Sequence, residues 1–369
     1  MEPQSVTQGQ LFKLFALHLF STMIAFMLNI MLQSSGYNAP AGIMSGAILG
    51  LAFSFISYKL AMRRPDSFFI DYGRHILGKW LHYPLLLFIA LSNLMIAIIN
   101  IWELQDVLTQ FYLVGTPSWA IASLCGICIA YTVRFGVKSV FRAAEGLFFI
   151  SLLSFLIIPV VVSENFEWFS GKGMITQFSL REMWPSAYYT SSVFGEMSFV
   201  LFIFPFLQSP AKTFRSLTSS MIVSSVVVIL HVVPLLLIFG PELASNLNFP
   251  ELELLRFMRS GSFLETLDPA LIALWLISIF VKLGFIVFII SLILARSCRL
   301  KDTKPFVFPI TAFIAIGSLV VVKSNIQFKS MMSGGMLTMF VIAELIPVLY
   351  YLVDSIQIKY ASRKRASSP

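Results

Sequence analysis

Residues 186–207 read SAYYTSSVFGEMSFVLFIFPFL. The run is apolar and long enough to cross a bilayer, whose hydrocarbon layer of ~30 Å takes about 20 residues of helix. Lipid offers backbone groups no water, so such a run has to be helical. Yet Glu196 stands at its middle, inside the polar stretch Thr190-Ser-Ser-Val-Phe-Gly195-Glu-Met-Ser198. An ionisable group at that depth costs about 2.5–3.5 kcal/mol on insertion scales and needs a partner or water. A polar, glycine-containing stretch at mid-span is also where a helix can unwind. The freed N–H and C=O groups and the half-helix dipoles can then hold a small zwitterion.

The rest of the chain repeats the apolar pattern. Windows of similar length lie at 11–32, 39–62, 82–102, 116–133, 143–163, 217–240, 269–295, 305–322 and 333–354, which with 186–207 makes ten. Of 369 residues, 57% are hydrophobic and 12% charged, about half the roughly 25% charge of a soluble domain. No stretch is hydrophilic enough to form a separate soluble domain. The first window is too long for a cleavable signal peptide and lacks a small-residue cleavage site. The net charge of +8 does not imply nucleic acid, because the basic residues sit between the windows. The two termini and the loops after windows two, four, six and eight hold 18 Lys and Arg. The opposite loops hold six: Lys172, Arg181, Arg256, Arg259, Lys323 and Lys329. Positive excess marks cytoplasmic loops, so the expectation is a multi-pass integral membrane protein with both termini in the cytoplasm.

Two more ionisable residues fall near window centres, Lys282 in the eighth and Glu344 in the tenth. Lys282 paired with Glu196 or with Glu344 would neutralise charge, and depth alone permits either. The first window carries a milder polar interruption at His18, Ser21, Thr22 and Asn29. The candidate ligand site is therefore Ser21, Thr22, Ser191, Gly195, Glu196, Ser198 and Lys282, with Glu344 as a buried charge partner. His18 and His231 are expected to be core histidines with satisfied hydrogen bonds. Gly42, Gly46 and Gly50 form a G-x-x-x-G-x-x-x-G stripe, which lets helix backbones approach closely. Ten windows suggest two repeats of five, 11–163 and 186–354, the odd number inverting the second copy. The interrupted first and sixth spans then occupy matching positions.

Two loops on the side opposite the termini are long. Residues 164–185 carry Trp168 and a Gly-Lys-Gly turn. Residues 241–268 carry five acids and the apolar set Leu252, Leu254, Leu255, Phe257 and Met258, a pattern for a short surface or interfacial helix. Cys125 and Cys128 form a C-x-x-C inside an apolar run with no His or further Cys nearby, so packing explains them better than a metal. No nucleophile–base or metal-ligand constellation occurs, so neither an enzyme nor a cofactor is expected.

Further stretches resemble a known family along almost the whole chain. They are Gln10-Leu-Phe, Leu77-Gly-Lys-Trp80, Gly115-Thr-Pro117, Ala130-Tyr-Thr-Val-Arg134-Phe-Gly136 and Arg142-Ala-Ala-Glu145. Gly195-Glu-Met-Ser198, Phe204-Pro-Phe206 and Phe249-Pro-Glu-Leu-Glu-Leu-Leu-Arg256 follow, with Phe263, Leu267-Asp268, Trp275 and Lys282. In order and spacing these resemble the B subunits of bacterial spore germination receptors, relatives of the amino acid permeases. The resemblance implies an all-α membrane protein of ten transmembrane helices with the 5+5 inverted repeat of the LeuT/APC-like permease fold. It also implies a nutrient germinant, commonly an amino acid, bound between broken first and sixth helices. The membrane would be the spore inner membrane, and the partners a membrane-bound A subunit and a lipoprotein C subunit. One departure stands out: Phe20-Ser-Thr-Met-Ile-Ala25 lacks the glycine-rich break that permease-like members carry in the first span. A nutrient sensor is the leading expectation; a transporter of amino acids or small solutes and an ion-conducting channel subunit fit the same composition.

Overall fold

The structure, a computed structural model, describes residues 5–257 and 268–366. The chain opens on a capping box in which Thr7 accepts from the Gln10 backbone while the Gln10 side chain accepts from Thr7 N–H. Helix α1 (Gln8–Thr22) passes through a π-turn at Met23–Met27 into α2 (Leu28–Ser35). A short turn with a proline just inside the next helix starts α3 (Ala39–Met62). Then come α4 (Phe69–Leu77), α5 (Lys79–Phe111), α6 (Ser118–Arg134) and α7 (Val137–Val162). After α8 (Gly173–Thr176), α9 (Leu180–Phe194) tightens into a 3-10 turn at Gly195–Phe199, followed by α10 (Val200–Ile203). The chain continues through α11 (Thr213–Ile238), α12 (Gly240–Asn246) and α13 (Pro250–Phe257). It ends with α14 (Asp268–Ser297), α15 (Lys304–Val320), α16 (Asn325–Met331), a second π-turn at Met332–Met336, and α17 (Leu337–Ala366).

Every apolar window is helical over most of its length. Among the described residues seven helical runs are long and apolar enough to cross a membrane, and an eighth if α15 and α16, bent by 111°, form one span. The chain is thus an integral membrane protein. Helix α6 is shorter, at 17 residues, about 25 Å. The first and sixth helices are not unwound as their polar interruptions suggest. Without a glycine, the first keeps helical backbone through its π-turn, a form frequent at functional positions. In the sixth, Ser191 and Ser192 donate to Tyr188 O and Tyr189 O. The polar side chains satisfy themselves locally, and the helix narrows to 3-10 geometry rather than opening.

Small residues set the packing around that turn. A Cβ on Gly42 would strike Ser186, one on Gly46 would strike Ala187 and Thr190, and one on Gly50 would strike Phe194 and Gly195. The stripe therefore brings α3 backbone to backbone with α9 and its 3-10 turn. On the other side, Ser220 and Ser224 of α11 donate to Phe12 O and Ala16 O of α1, at 2.9 and 3.2 Å. The ends are tied too. Val6 exchanges backbone bonds with Phe206 and Gln208. Arg63 and Arg64 hold the buried Asp354 at 2.6 and 2.7 Å, fixing the end of α3 to α17. The 241–268 loop contains the expected short helix as α13, with Leu252 and Leu254 buried; Met258 lies outside the described residues. Asn29 donates to Ser245 O and Leu247 O, joining α2 to the last turn of α12 and the residue beyond it.

Candidate functional site: a buried charge cluster

Where α1, α5, α14, α17 and the 3-10 turn meet, three carboxyls, a lysine and His18 are almost entirely removed from solvent: Glu344 (0% exposed), Lys282 (1%), Glu196 (3%) and Glu103 (4%), with His18 fully buried. Lys282 Nζ donates to Glu196 Oε1 at 3.1 Å and to Thr22 Oγ1 at 2.9 Å. Thr22 in turn donates to His18 O at 2.7 Å. His18 Nε2 lies 2.5 Å from Glu196 Oε2. Glu196 thus has a nitrogen on each carboxylate oxygen, and the choice of partner for Lys282 that the sequence leaves open falls on Glu196. A buried pair with both ends hydrogen-bonded offsets much of its desolvation cost.

Glu344 is the remaining carboxyl. It lies against the Cα of Gly195, in space that any side chain there would fill. Both of its oxygens are buried without a hydrogen-bond partner among the described residues. It is within electrostatic reach of Glu196 and Lys282 but bonds neither.

Beside the Lys282–Glu196 pair lies a small cavity of ≈ 20 Å³. Its polar lining is Thr22, Asn100, Glu103, Ser192, Glu196 and Lys282, and Met27, Val193 and Phe340 are among the apolar walls. Such a space admits about one water; anything larger needs the surrounding helices to separate. Glu103 and His18 are the site residues that sequence reasoning missed. Glu103 lies one residue beyond the third apolar window, which closes at Trp102, and its helix runs on to Phe111. His18 is not the satisfied core histidine expected: Nε2 holds Glu196 and Nδ1 has no partner among the described residues. His231, by contrast, is bonded on both nitrogens, to Glu251 and to Phe155 O.

The expected site residues divide. Thr22, Glu196 and Lys282 come together, and Gly195, next to Glu196 in the chain, packs against Glu344. Ser21 bonds its own helix at Leu17 O and Ser191 bonds Tyr188 O, and neither lines the cavity. The Ser198 hydroxyl is buried without a partner among the described residues, and it too lies off the cavity lining.

Comparison with known proteins bears on the family and the fold. Residues 5–326 match the sequence profile of a family described as "Spore germination protein". The Bacillus subtilis (strain 168) spore germination protein YndE is 22% identical over 252 residues, 67% of this chain and 68% of its own length. Spore germination protein XB of Bacillus anthracis is 25% identical over 224 residues, 58% and 59% of the two chains. Spore germination protein KB of Bacillus subtilis is 22% identical over 276 residues, 73% of each. Among solved structures, the nucleobase-cation-symport-1 family transporter Mhp1 superposes with a TM-score of 0.68 at 12% identity, over 95% of this chain and 78% of that one. MhsT in complex with L-phenylalanine gives 0.67 at 12% identity, over 92% and 88%. At that identity the likeness concerns the fold, which this chain shares with these transporters.

Proposed function

The chain belongs to the spore germination protein family, and within it we propose that this member is the nutrient-sensing membrane subunit of a germination receptor. The observation that carries the reading is the Lys282–Glu196–His18 cluster beside a cavity at the centre of a transporter fold. Buried charge inside a membrane protein marks a functional site by default. A small nutrient, best an amino acid, binds among Thr22, Gly195, Glu196 and Lys282, with Ser21, Ser191 and Ser198 close by in sequence on the same two helices. Ligand that prefers one arrangement of these helices shifts the population of states, and the shift passes to a membrane-bound A subunit and a lipoprotein C subunit. The chain spans the spore inner membrane ten times as one domain, in repeats 11–163 and 186–354, with cytoplasmic termini. It is not an enzyme and needs no cofactor.

Transport is the second reading. A cavity of ≈ 590 Å³ opens among Arg134, Lys138, Arg296, Lys301 and Lys304, with Phe206 and Phe288 in its lining, on the face assigned here to the cytoplasm. It is of the size that small-molecule sites occupy and would serve as an inner vestibule. Spores carrying Glu196→Ala or Lys282→Ala test the sensor: the variants reach the membrane but lose the nutrient response. A normal response in both removes the site assignment. Nutrient uptake by the purified chain alone in liposomes would replace the sensor with the transporter.

A further inference from the structure

Among the described residues Lys282 is the single cation beside three buried carboxyls, and its bonds already go to Glu196 and Thr22. His18 adds no second charge. Its Nδ1 is buried without a partner among the described residues, and a doubly protonated ring would leave an N–H there with no acceptor. The ring is therefore neutral, with its one proton on Nε2 pointing at Glu196. This leaves Glu103 and Glu344 uncompensated. The groups facing Glu344 are Glu196 and Lys282. Those facing Glu103 are Lys282, Asp106 one turn along the same helix, and Glu196 across the cavity. An ionised carboxylate with no partner in such surroundings is far costlier than the neutral acid.

We propose that Glu103 and Glu344 each hold a proton in this state, and that the proton on Glu103 is exchanged for the ammonium group of an incoming ligand. Glu103 faces the cavity beside Lys282, whereas Glu344 is sealed against Gly195. In the exchange the Glu103 carboxylic acid loses its O–H proton to water. The resulting carboxylate accepts from the ligand's ammonium, so the positive charge the ammonium brings is offset by the proton released. The ligand class is a small primary amine, and one proton released per ligand makes its binding stronger at higher pH. The exchange rests on the nutrient-binding reading; the resting protonation does not.

Infrared spectra of the purified protein, at a pH where exposed carboxyls are ionised, test the resting state. A protonated-carboxyl carbonyl band is expected in the wild-type protein, smaller by one carboxyl in each of Glu103→Gln and Glu344→Gln. A wild-type spectrum without that band overturns the proposal and needs no variant to fold. Calorimetric titration with a panel of L-amino acids, in two buffers of different protonation enthalpy, tests the exchange. About one proton should leave per ligand bound, and none in Glu103→Gln. Binding without proton release overturns the exchange alone, while absence of binding across the panel overturns it together with the nutrient reading.

Discussion

At the scale of single residues, the cluster is a pair held by two nitrogens and hemmed in by carboxyls. Removing Lys282 leaves Glu196 buried with only the neutral His18 beside it. Breaking a buried pair from one side costs about 3–5 kcal/mol, whereas replacing both partners with apolar or neutral groups is often close to neutral. Lys282→Ala should therefore lower the unfolding midpoint sharply in detergent, and Lys282→Met combined with Glu196→Gln should recover most of the loss. Equal midpoints for Lys282→Ala and the wild-type protein would contradict the pairing. Glu196, Lys282 and Glu344 were legible in the sequence because a charge at the centre of an apolar window needs an explanation. Glu103 was not, because hydropathy places it at a helix end where charge is ordinary. Ser21 and Ser191 look like ligand residues in the sequence, but a hydroxyl in a helix can bond the carbonyl one turn back, and that choice is invisible without coordinates.

At the scale of elements, the glycine stripe on α3 positions the turn that bears Glu196. A side chain at Gly50 would collide with Phe194 and Gly195, so Gly50→Val should force α3 from α9 and displace the turn. The expected outcome is a lower melting temperature together with weakened nutrient response. Gly146 is the control: it sits in α7 with nothing within 4 Å of an added Cβ. Gly146→Ala should leave both properties intact, or raise stability by about 0.5–1 kcal/mol. Thermal unfolding of the two variants side by side checks the pair, and equal effects would show that the stripe does not set the packing. The stripe and all ten apolar windows could be read from spacing and hydropathy. The π-turns and the 111° bend between α15 and α16 could not, since apolar periodicity records which residues meet lipid or protein, not how the backbone turns between them.

At the scale of the whole molecule, the membrane character follows from composition, and the transporter fold follows from how the helices pack. The two repeats proposed above, 11–163 and 186–354, are not legible as self-similarity in the residues, because helix packing asks only for small and apolar side chains at the right faces. Orientation rests on the 18-to-six asymmetry of Lys and Arg. With Cys125, Cys128 and Cys298 replaced, cysteines introduced at the exposed Trp168 and at Lys301 should react from opposite sides of a sealed vesicle, the second from the cytoplasmic side. Labelling of both from one side would overturn the topology. Whether the buried cluster is a nutrient site is read out by thermal shift of the detergent-purified protein against a nutrient panel. One chemical class of nutrient should give a selective, saturable stabilisation that disappears in Glu196→Gln; a shift of equal size in that variant would put the nutrient elsewhere.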